Sequence, residues 1–377
     1  MPPRHIVSHT GLRGIAALLV VFYHLQFGPG PRFAFETATL FFRRGYLWVD
    51  LFFVLSGFII SYTAGAGRTK PFSPAEAGRF LGARIARVYP LHLFTLGVLL
   101  LFAVLLQIGG TLIGHALAPD PWRPESMKAL LLALPLLHAW DFGQIEAWNI
   151  PSWSISAEMF AYLLFPLIVT LHALAPRATR GALLILAIAF YVVVAATGGS
   201  LDIVMGWAPI RCLAGFSLGM LLFYWREPIG RIGGGMLALL QIGAAAMIVA
   251  GLALPWPDVT LVPAFVLMVA TTWRDKGPLM PLLTARPARF LGEISYSIYM
   301  NHVCLIVILG FFWARIAARL DAPPLLLRFV WMLLLLGATL IVSTLTYRYV
   351  EKPARKWLSK RLIGRTPRLP TAVPTAP

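Results

Sequence analysis

Long apolar runs separated by short polar segments make up most of the chain. Ten of them approach or exceed the length that a helix needs to cross the hydrocarbon core of a bilayer, about 20 residues. The predicted spans are 11–27, 45–64, 88–109, 153–174, 181–196, 207–225, 234–253, 258–273, 289–313 and 326–350. A further apolar stretch at 127–140 is shorter and contains Pro135, which predicts an interfacial or re-entrant segment.

The composition supports an all-α, polytopic membrane protein. Hydrophobic residues make up 59% of the 377 residues and charged residues only 12%, whereas about a quarter of a typical soluble domain is charged. The pattern predicts one membrane-embedded domain over residues 1–360. The last segment, 361–377, is basic and rich in proline, and we expect it to be disordered.

The net charge of +17 is distributed as in a membrane protein rather than a nucleic-acid-binding one. Most Lys and Arg residues lie in alternate short loops and in the C-terminal tail, which is typical of the cytoplasmic side of a bilayer. We therefore expect both termini in the cytoplasm, with Arg43, Arg44, Arg315 and Arg319 as exceptions on the opposite side. The first apolar run is followed by "QFGPGPRF" and not by a small-residue cleavage site, so we expect this helix to be retained.

The cysteines do not indicate a metal centre. Cys212 and Cys304 both lie inside apolar runs, far apart in the sequence. This arrangement predicts neither a disulfide framework nor a metal cluster.

Two basic side chains interrupt the first apolar helix. Arg13 and His24 are eleven residues apart, which is about three helical turns, so they share one face about 16 Å apart. A cation at one end and an imidazole at the other suit a long ligand with an anionic head and a reactive tip, such as acyl-CoA. Alternatively, Arg13 extends to lipid phosphates and His24 hydrogen-bonds a neighbouring helix.

A second pair of cations lies at the start of the third predicted span. Arg84 and Arg87 are three residues apart and therefore share a helix face. Paired guanidinium groups suit phosphate. The alternative is ordinary anchoring of the helix at the cytoplasmic surface.

Two carboxylates lie at the depth predicted for the imidazole. Asp50 and Glu158 each fall near the outer end of a predicted span, so either could orient His24 as a general base. Asp50 could instead form a salt bridge with Arg43 or Arg44.

Other polar residues in the apolar runs are candidate contacts for an acceptor, or supports for the site. They are Arg211, Tyr296 and His302. Glu351 and Arg355 are four residues apart, which predicts a structural ion pair on one helix.

Six motifs in order resemble the acyltransferase-3 family of bacterial inner-membrane proteins, which includes O-acetyltransferases of O-antigen, exopolysaccharide and nodulation factor. They are "GLRGIAALLVVFYH", "DLFFVLSGFIIS", "RIARVYPLH", "WSISAE", "LGEISYSIYMNH" and "YVEKPAR". The similarity extends from about residue 8 to about residue 360.

The resemblance implies ten core helices in the bacterial inner membrane and a co-substrate, acyl-CoA, taken from the cytoplasm, most often acetyl-CoA. It also implies a carbohydrate, glycolipid or other hydroxyl acceptor. The R-x10-H motif of the family falls on Arg13 and His24, its R-x-x-R motif on Arg84 and Arg87, and its acid on Glu158.

The resulting hypothesis is a membrane O-acyltransferase. Arg84, Arg87 and Arg13 bind the phosphates of acyl-CoA, and His24 removes the proton of the acceptor hydroxyl. An acyl-histidine intermediate is a variant of this mechanism. The competing functions are a transporter of a sugar or lipid without acyl chemistry, and a sensor or scaffold that binds CoA without turnover.

Overall fold

The fold consists of α-helices joined by short loops. The computed structural model describes residues 5–27, 39–141, 143, 148–320 and 323–363. It is 78% helical, and no β-strand occurs among those residues, which confirms the all-α prediction. Residues 364–377, most of the tail predicted to be disordered, lie outside the described residues.

The α-helices are numbered here in chain order. They are α1 (Val7–His24), α2 (Trp48–Ala64), α3 (Pro74–Ile113), α4 (Pro124–Ala133), α5 (Ser152–Leu174), α6 (Pro176–Ala196), α7 (Ala208–Tyr224), α8 (Arg226–Ile229), α9 (Gly234–Ala253), α10 (Leu261–Thr272), α11 (Met280–Leu283), α12 (Arg286–Glu293), α13 (Ser295–Ala317), α14 (Pro324–Thr346) and α15 (Lys352–Leu362). Short 3-10 turns precede α2, α5 and α10 at Gly45–Leu47, His138–Trp140 and Asp258–Thr260, and a π-helical turn, Tyr347–Glu351, joins α14 to α15.

Among the described residues, seven helical segments are long and apolar enough to cross a bilayer. They are Gly45–Ala64, Pro74–Ile113, Ser152–Leu174, Pro176–Ala196, Gly234–Ala253, Ser295–Ala317 and Pro324–Leu362. The three remaining predicted spans correspond to shorter helices, α1, α7 and α10. The structure thus establishes a multi-pass membrane protein, while the number ten stays a prediction.

Three predicted boundaries differ from the structure. The third helix begins at Pro74 instead of 88, because Ser73 and Glu76 form a capping box that starts it earlier. The predicted helix 289–313 is divided at Ile294 into α12 and α13. The stretch 127–140 becomes the end of α4 followed by a 3-10 turn.

Contacts of α1 and α15 identify one end of the helix bundle. The backbone N–H of Ser8, in the first turn of α1, donates to Asp275 Oδ1 at 2.8 Å, so the loop after α10 caps α1. α1 also packs on α11 and α12, and α15 packs on α3. We call the end at which α1 begins the N-terminal end, and the opposite one the far end.

Glycines allow α2 and α7 to approach closely. A Cβ atom on Gly57 would lie 2.0 Å from the carbonyl oxygen of Phe216, and one on Gly219 would lie 2.1 Å from that of Val54. Small residues permit this backbone contact between helices in a membrane. The contact aligns the two helices that carry Asp50 and Arg211.

Arg44 has a structural reason to lie at the far end, against the charge rule. Its side chain is buried and donates to the carbonyl oxygens of Gly251, Leu254 and Trp256 around the end of α9. It also pairs with Asp258 at 2.6 Å. A cation at a helix C-terminus satisfies the last carbonyls and complements the helix dipole, so Arg44 stabilises the fold there.

Candidate functional site

A cavity of about 170 Å³ lies between α1, α2, α3, α5 and α13. All three arginines of the two predicted motifs line it, together with Glu158 and Tyr296. The other lining residues are Val49, Phe52, Phe53, Leu55, Ser56, Ile59, Ile60, Val88, Ser154, Ile155, Tyr162, Ser295 and Tyr299. The structure therefore brings together residues that are up to 283 positions apart in the predicted site.

Arg13 and Arg84 are held in the cavity wall with few partners. Arg13 Nη2 donates to Ser295 Oγ at 3.1 Å. The Arg84 guanidinium lies 5.6 Å from the centre of the Phe80 ring, and its buried Nε has no hydrogen-bond partner among the described residues. Neither arginine forms an ion pair with a carboxylate of the described residues. Their donors are thus available for an anion.

Arg87 differs from the other two because it is fixed by a carboxylate. Glu351 is buried, pairs with Arg87 Nη1 and accepts a hydrogen bond from Ser297 Oγ at 2.8 Å. The predicted pairing of Glu351 with Arg355 is therefore wrong. Glu351 lies at the N-terminus of α15, and its side chain turns toward Arg87 on α3 and Ser297 on α13 rather than along its own helix.

Glu158 belongs to the cavity and not to the imidazole. Its carboxylate lies next to the hydroxyls of Ser56 and Tyr162, with Arg84 and Arg13 as the nearest cations. The predicted contact between Glu158 and His24 is not formed. Glu158 thus places a carboxyl group in the same cavity wall as the arginines.

His24 pairs instead with His302. His24 Nδ1 lies 3.0 Å from the carbonyl oxygen of Val20 and 3.1 Å from His302 Nε2. His302 Nδ1 lies 3.1 Å from the carbonyl oxygen of Ile298. Since carbonyls only accept, both Nδ1 atoms carry the proton, and His302 Nε2 accepts from His24. The lone pair of His24 is then on Nε2, where a general base needs it.

Tyr299 separates the cavity from the histidine pair. Its hydroxyl lies 2.8 Å from Ser154 Oγ, and its ring centre lies 5.9 Å from that of His302 and 6.0 Å from that of Phe52. Tyr299 and Phe52 line the cavity, whereas His24 and His302 lie beyond them. Because His302 is three residues further along α13, the step between them is about one helical turn.

Asp50 forms a buried ion pair with Arg211. Arg211 Nε and Nη2 donate to the two carboxylate oxygens of Asp50 at 3.1 and 2.7 Å, and both side chains are fully buried. The guanidinium also lies 5.2 Å from the centre of the Trp153 ring. The predicted contact of Asp50 with His24, and its alternative with Arg43 or Arg44, are therefore not formed.

Tyr296 is part of the cavity wall. Its hydroxyl donates to the carbonyl oxygen of Val88 at 2.6 Å, and its ring centre lies 5.1 Å from the Arg87 guanidinium. The hydroxyl is thus committed to the backbone, and the ring supports Arg87 through a cation–π contact.

Comparison with known proteins identifies the family of the chain. A family model described as an acyltransferase domain matches residues 7–348, which is nearly the whole chain. The chain belongs to the acyltransferase-3 family.

Two relatives of this acyltransferase-3 protein cover almost all of its length. Acyltransferase MdmB of Streptomyces mycarofaciens is 28% identical over 407 aligned residues, which cover 96% of this chain and 95% of the relative. O-acetyltransferase OatA of Staphylococcus aureus is 24% identical over 387 aligned residues, which cover 94% of this chain and 58% of the relative. A shorter match, 34% identical over 111 residues, is to protein 2 in the picA locus of Rhizobium radiobacter. No solved structure matches the chain significantly.

The acyltransferase-3 assignment and the helices establish a multi-pass membrane acyltransferase. The structure gathers the three predicted arginines around the cavity and places the predicted imidazole against His302, a pairing that the sequence analysis did not predict. The sequence indicates Glu351 as an acid at the end of an apolar helix but does not indicate its partner, Arg87. Tyr299 carried no signal, because a tyrosine in an apolar helix is common in membrane proteins.

Proposed function

We propose that this chain is an O-acyltransferase of the bacterial inner membrane that uses acyl-CoA, with acetyl-CoA as the simplest donor. The acceptor is a hydroxyl of a carbohydrate or glycolipid. The observation that carries the proposal is the cavity that holds Arg13, Arg84 and Arg87 and ends at Tyr299, one turn from the histidine pair. The names of the relatives, an acyltransferase and an O-acetyltransferase, support the same chemistry.

The cavity suits the phosphates of a nucleotide thioester. Its wall carries three guanidinium groups and one carboxylate, Glu158, while Glu351 balances Arg87 from behind. The buried, unpartnered Nε of Arg84 is a donor that a phosphate oxygen would satisfy. In this arrangement the carboxyl group of Glu158 shares the cavity wall with Arg13 and Arg84.

His24 acts as the general base. Its Nε2 takes the proton of the acceptor hydroxyl while the hydroxyl oxygen attacks the thioester carbonyl carbon. The C–S bond then breaks, and the CoA thiolate leaves and takes the proton back from His24. The products are the acyl ester and free CoA thiol. His302 Nε2 accepts a hydrogen bond from His24 Nδ1–H throughout the reaction. His302 thereby orients the His24 ring and stabilises the His24 imidazolium.

Asp50 has no part in the proton transfer. Its bidentate contact with Arg211 locks α2 against α7 in the apolar core of the bundle. The Asp50–Arg211 pair thereby holds α2 in place, and Phe52 and Phe53 of α2 line the cavity.

Release of free thiol from acetyl-CoA by the purified protein tests the proposal. We expect thiol release that depends on an added glycan acceptor. His24→Ala should lower kcat by about 10²- to 10⁴-fold, the usual contribution of a general base. The matched control is His115→Ala, because His115 is exposed in the loop after α3.

Each outcome of this assay has a meaning. Thiol release that is lost in His24→Ala and kept in His115→Ala supports the proposal. A folded wild-type protein that moves a glycan across vesicles and releases no thiol would be a transporter. CoA binding without turnover would identify a sensor or scaffold.

A further inference from the structure

A second cavity, of about 270 Å³, lies at the N-terminal end of the bundle between α9 and the end of α10. It is separate from the arginine cavity and shares no lining residue with it. Its wall is formed by Ile229, Gly230, Ile232, Gly234, Leu237, Ala270, Thr271, Trp273, Arg274, Lys276 and Gly277. The acyl transfer proposed for the first cavity does not involve this second cavity.

One side of this cavity is cationic. Arg274 and Lys276 both line it, and Lys276 is exposed and forms no ion pair with a carboxylate of the described residues. Arg274 Nη1 donates to the carbonyl oxygen of Gly230 at 3.0 Å, which holds this cation at the rim. A contact of 3.3 Å with Glu227, itself largely exposed, only partly offsets its charge.

Backbone donors reinforce the positive side. α9 begins at Gly234, and its N-cap, Gly233, offers no side chain to the first N–H groups. A Cβ atom on Gly233, Gly234 or Gly235 would meet nothing within 4 Å, so the backbone there is open to a ligand. The buried indole N–H of Trp273, another lining residue, also has no hydrogen-bond partner in the part of the chain that the structure describes.

The other side of the cavity is apolar and continues onto a lipid-facing surface. Ile229, Ile232 and Leu237 line it. Beyond them, Leu239 and Ile242 on α9 are 65% and 55% exposed. In a helix that crosses a bilayer, such exposed apolar side chains face hydrocarbon. The cavity thus lies between the cationic rim and the exposed apolar face of α9, which begins one to two helical turns along that helix.

We propose that this cavity binds the phosphate headgroup of an anionic phospholipid, whose acyl chains lie along α9. The rim supplies two cations and the uncapped helix N-terminus, which are the groups that bind phosphate. The apolar wall and the exposed face of α9 favour a lipid over a soluble anion, because only a lipid covers both. Basic pockets between helices at the cytoplasmic side are typical sites for such headgroups.

Native mass spectrometry of the full chain in detergent, titrated with phosphatidylglycerol or phosphatidylcholine, tests this proposal. Lys276→Gln removes a rim cation, and we expect it to weaken phosphatidylglycerol binding about fivefold, the effect of one basic residue near an anionic lipid. Lys70→Gln is the matched control, since Lys70 is an exposed lysine at the same end of the bundle and lines neither cavity.

A second pair of variants leaves the charge unchanged. Leu237→Trp fills the cavity, and we expect it to abolish the preference for phosphatidylglycerol. Leu239→Trp, on the exposed face of the same helix, should keep it.

The proposal holds if phosphatidylglycerol binds more tightly than phosphatidylcholine, if Lys276→Gln reduces that difference and Leu237→Trp abolishes it, and if both control variants keep it. It is overturned if the two lipids bind alike, or if Lys276→Gln and Leu237→Trp both bind like the wild type. Displacement of phosphatidylglycerol by an equal concentration of inorganic phosphate would show a site for a soluble anion and would also overturn it. None of these outcomes depends on acyl transfer.

Discussion

At the scale of single residues, the site depends on which atom of each side chain is already engaged. His24 uses Nδ1 for Val20 and His302, which leaves Nε2 for the acceptor. His302 uses its own Nδ1 for Ile298 in the same i to i−4 geometry. In the proposed mechanism, a neutral imidazole thus takes the place of the carboxylate that commonly orients a catalytic histidine. This arrangement avoids burying a further charge in the membrane.

His302 is accordingly a positioning residue, and its variants should separate positioning from packing. His302→Ala removes the acceptor for His24 Nδ1, so we expect kcat to fall about 10- to 100-fold, less than for loss of the base itself. The KM for acyl-CoA should stay unchanged. His302→Gln offers an amide oxygen as a replacement acceptor and should recover most of the lost rate. Equal losses in both variants would contradict the positioning role.

Asp50 should behave as a structural residue. Asp50→Ala leaves Arg211 buried without a counter-charge, and we expect it to lower the free energy of unfolding by about 3–5 kcal/mol. Asp50→Ala combined with Arg211→Ala should recover part of that loss, measured by thermal unfolding in detergent. An Asp50→Ala protein of normal stability but without activity would show instead that Asp50 is catalytic.

The residues that sequence placed correctly are those whose relation is local. Arg84 and Arg87 share a face because of helical spacing alone, and Arg13 lies on their side of the bundle because of chain direction. The partner of Asp50 could not be found in this way, since Arg211 is 161 positions away and the pair depends on the α2–α7 contact. Likewise, Glu351 turns toward Arg87 on another helix, α3, which spacing along its own helix could not indicate.

At the scale of helices, α5 and α13 together close the arginine cavity. Ser154 is on α5 and Tyr299 is on α13, and their hydroxyls lie 2.8 Å apart. The periodicity of each helix predicted the apolar runs but not this contact between them. In the proposed mechanism, a thioester bound to the arginines passes the Tyr299 ring on its way to His24, and the hydrogen bond to Ser154 holds that ring in place.

Loss of this hydrogen bond should make passage easier. Tyr299→Phe and Ser154→Ala each remove one partner, and a buried hydrogen bond contributes about 1 kcal/mol. We therefore expect hydrolysis of acetyl-CoA without acceptor to rise about fivefold in each variant. The double variant should show no further increase, because both single changes remove the same bond. A decrease of hydrolysis in both single variants would contradict the barrier.

At the scale of the whole molecule, the account requires that the arginine end of the bundle face the cytoplasm. Alkaline phosphatase, which is active only outside the cytoplasm, reports this when it is fused within a loop. Fusions in the far-end loops 114–123 and 197–207 should be active, and fusions in the loop 65–73 or after residue 363 should be inactive. The reverse pattern would place the arginines outside and contradict the use of cytoplasmic acyl-CoA.

The arrangement of charge over the molecule agrees with this orientation, and the structure explains one of its exceptions. Arg44 at the far end is buried as a cap of α9, so it exerts little effect as a topological signal. The cations of the N-terminal end, by contrast, include Lys276 and Lys70 on exposed loops and those of α15. Positive charge at the surface is therefore concentrated at the end where both cavities have their cations.

Kinetics of Arg84→Gln with two donors test the central claim most directly. The claim is that the cavity arginines bind the phosphates of the donor while the thioester extends toward His24. We expect Arg84→Gln to raise the KM for acetyl-CoA about 10- to 100-fold, as for loss of a charged hydrogen bond, and to leave the KM for acetyl-pantetheine, which has no phosphate, unchanged. Arg79→Gln, an exposed position on the same helix, should alter neither value. An equal rise for both donors, or no rise for acetyl-CoA, would contradict the account.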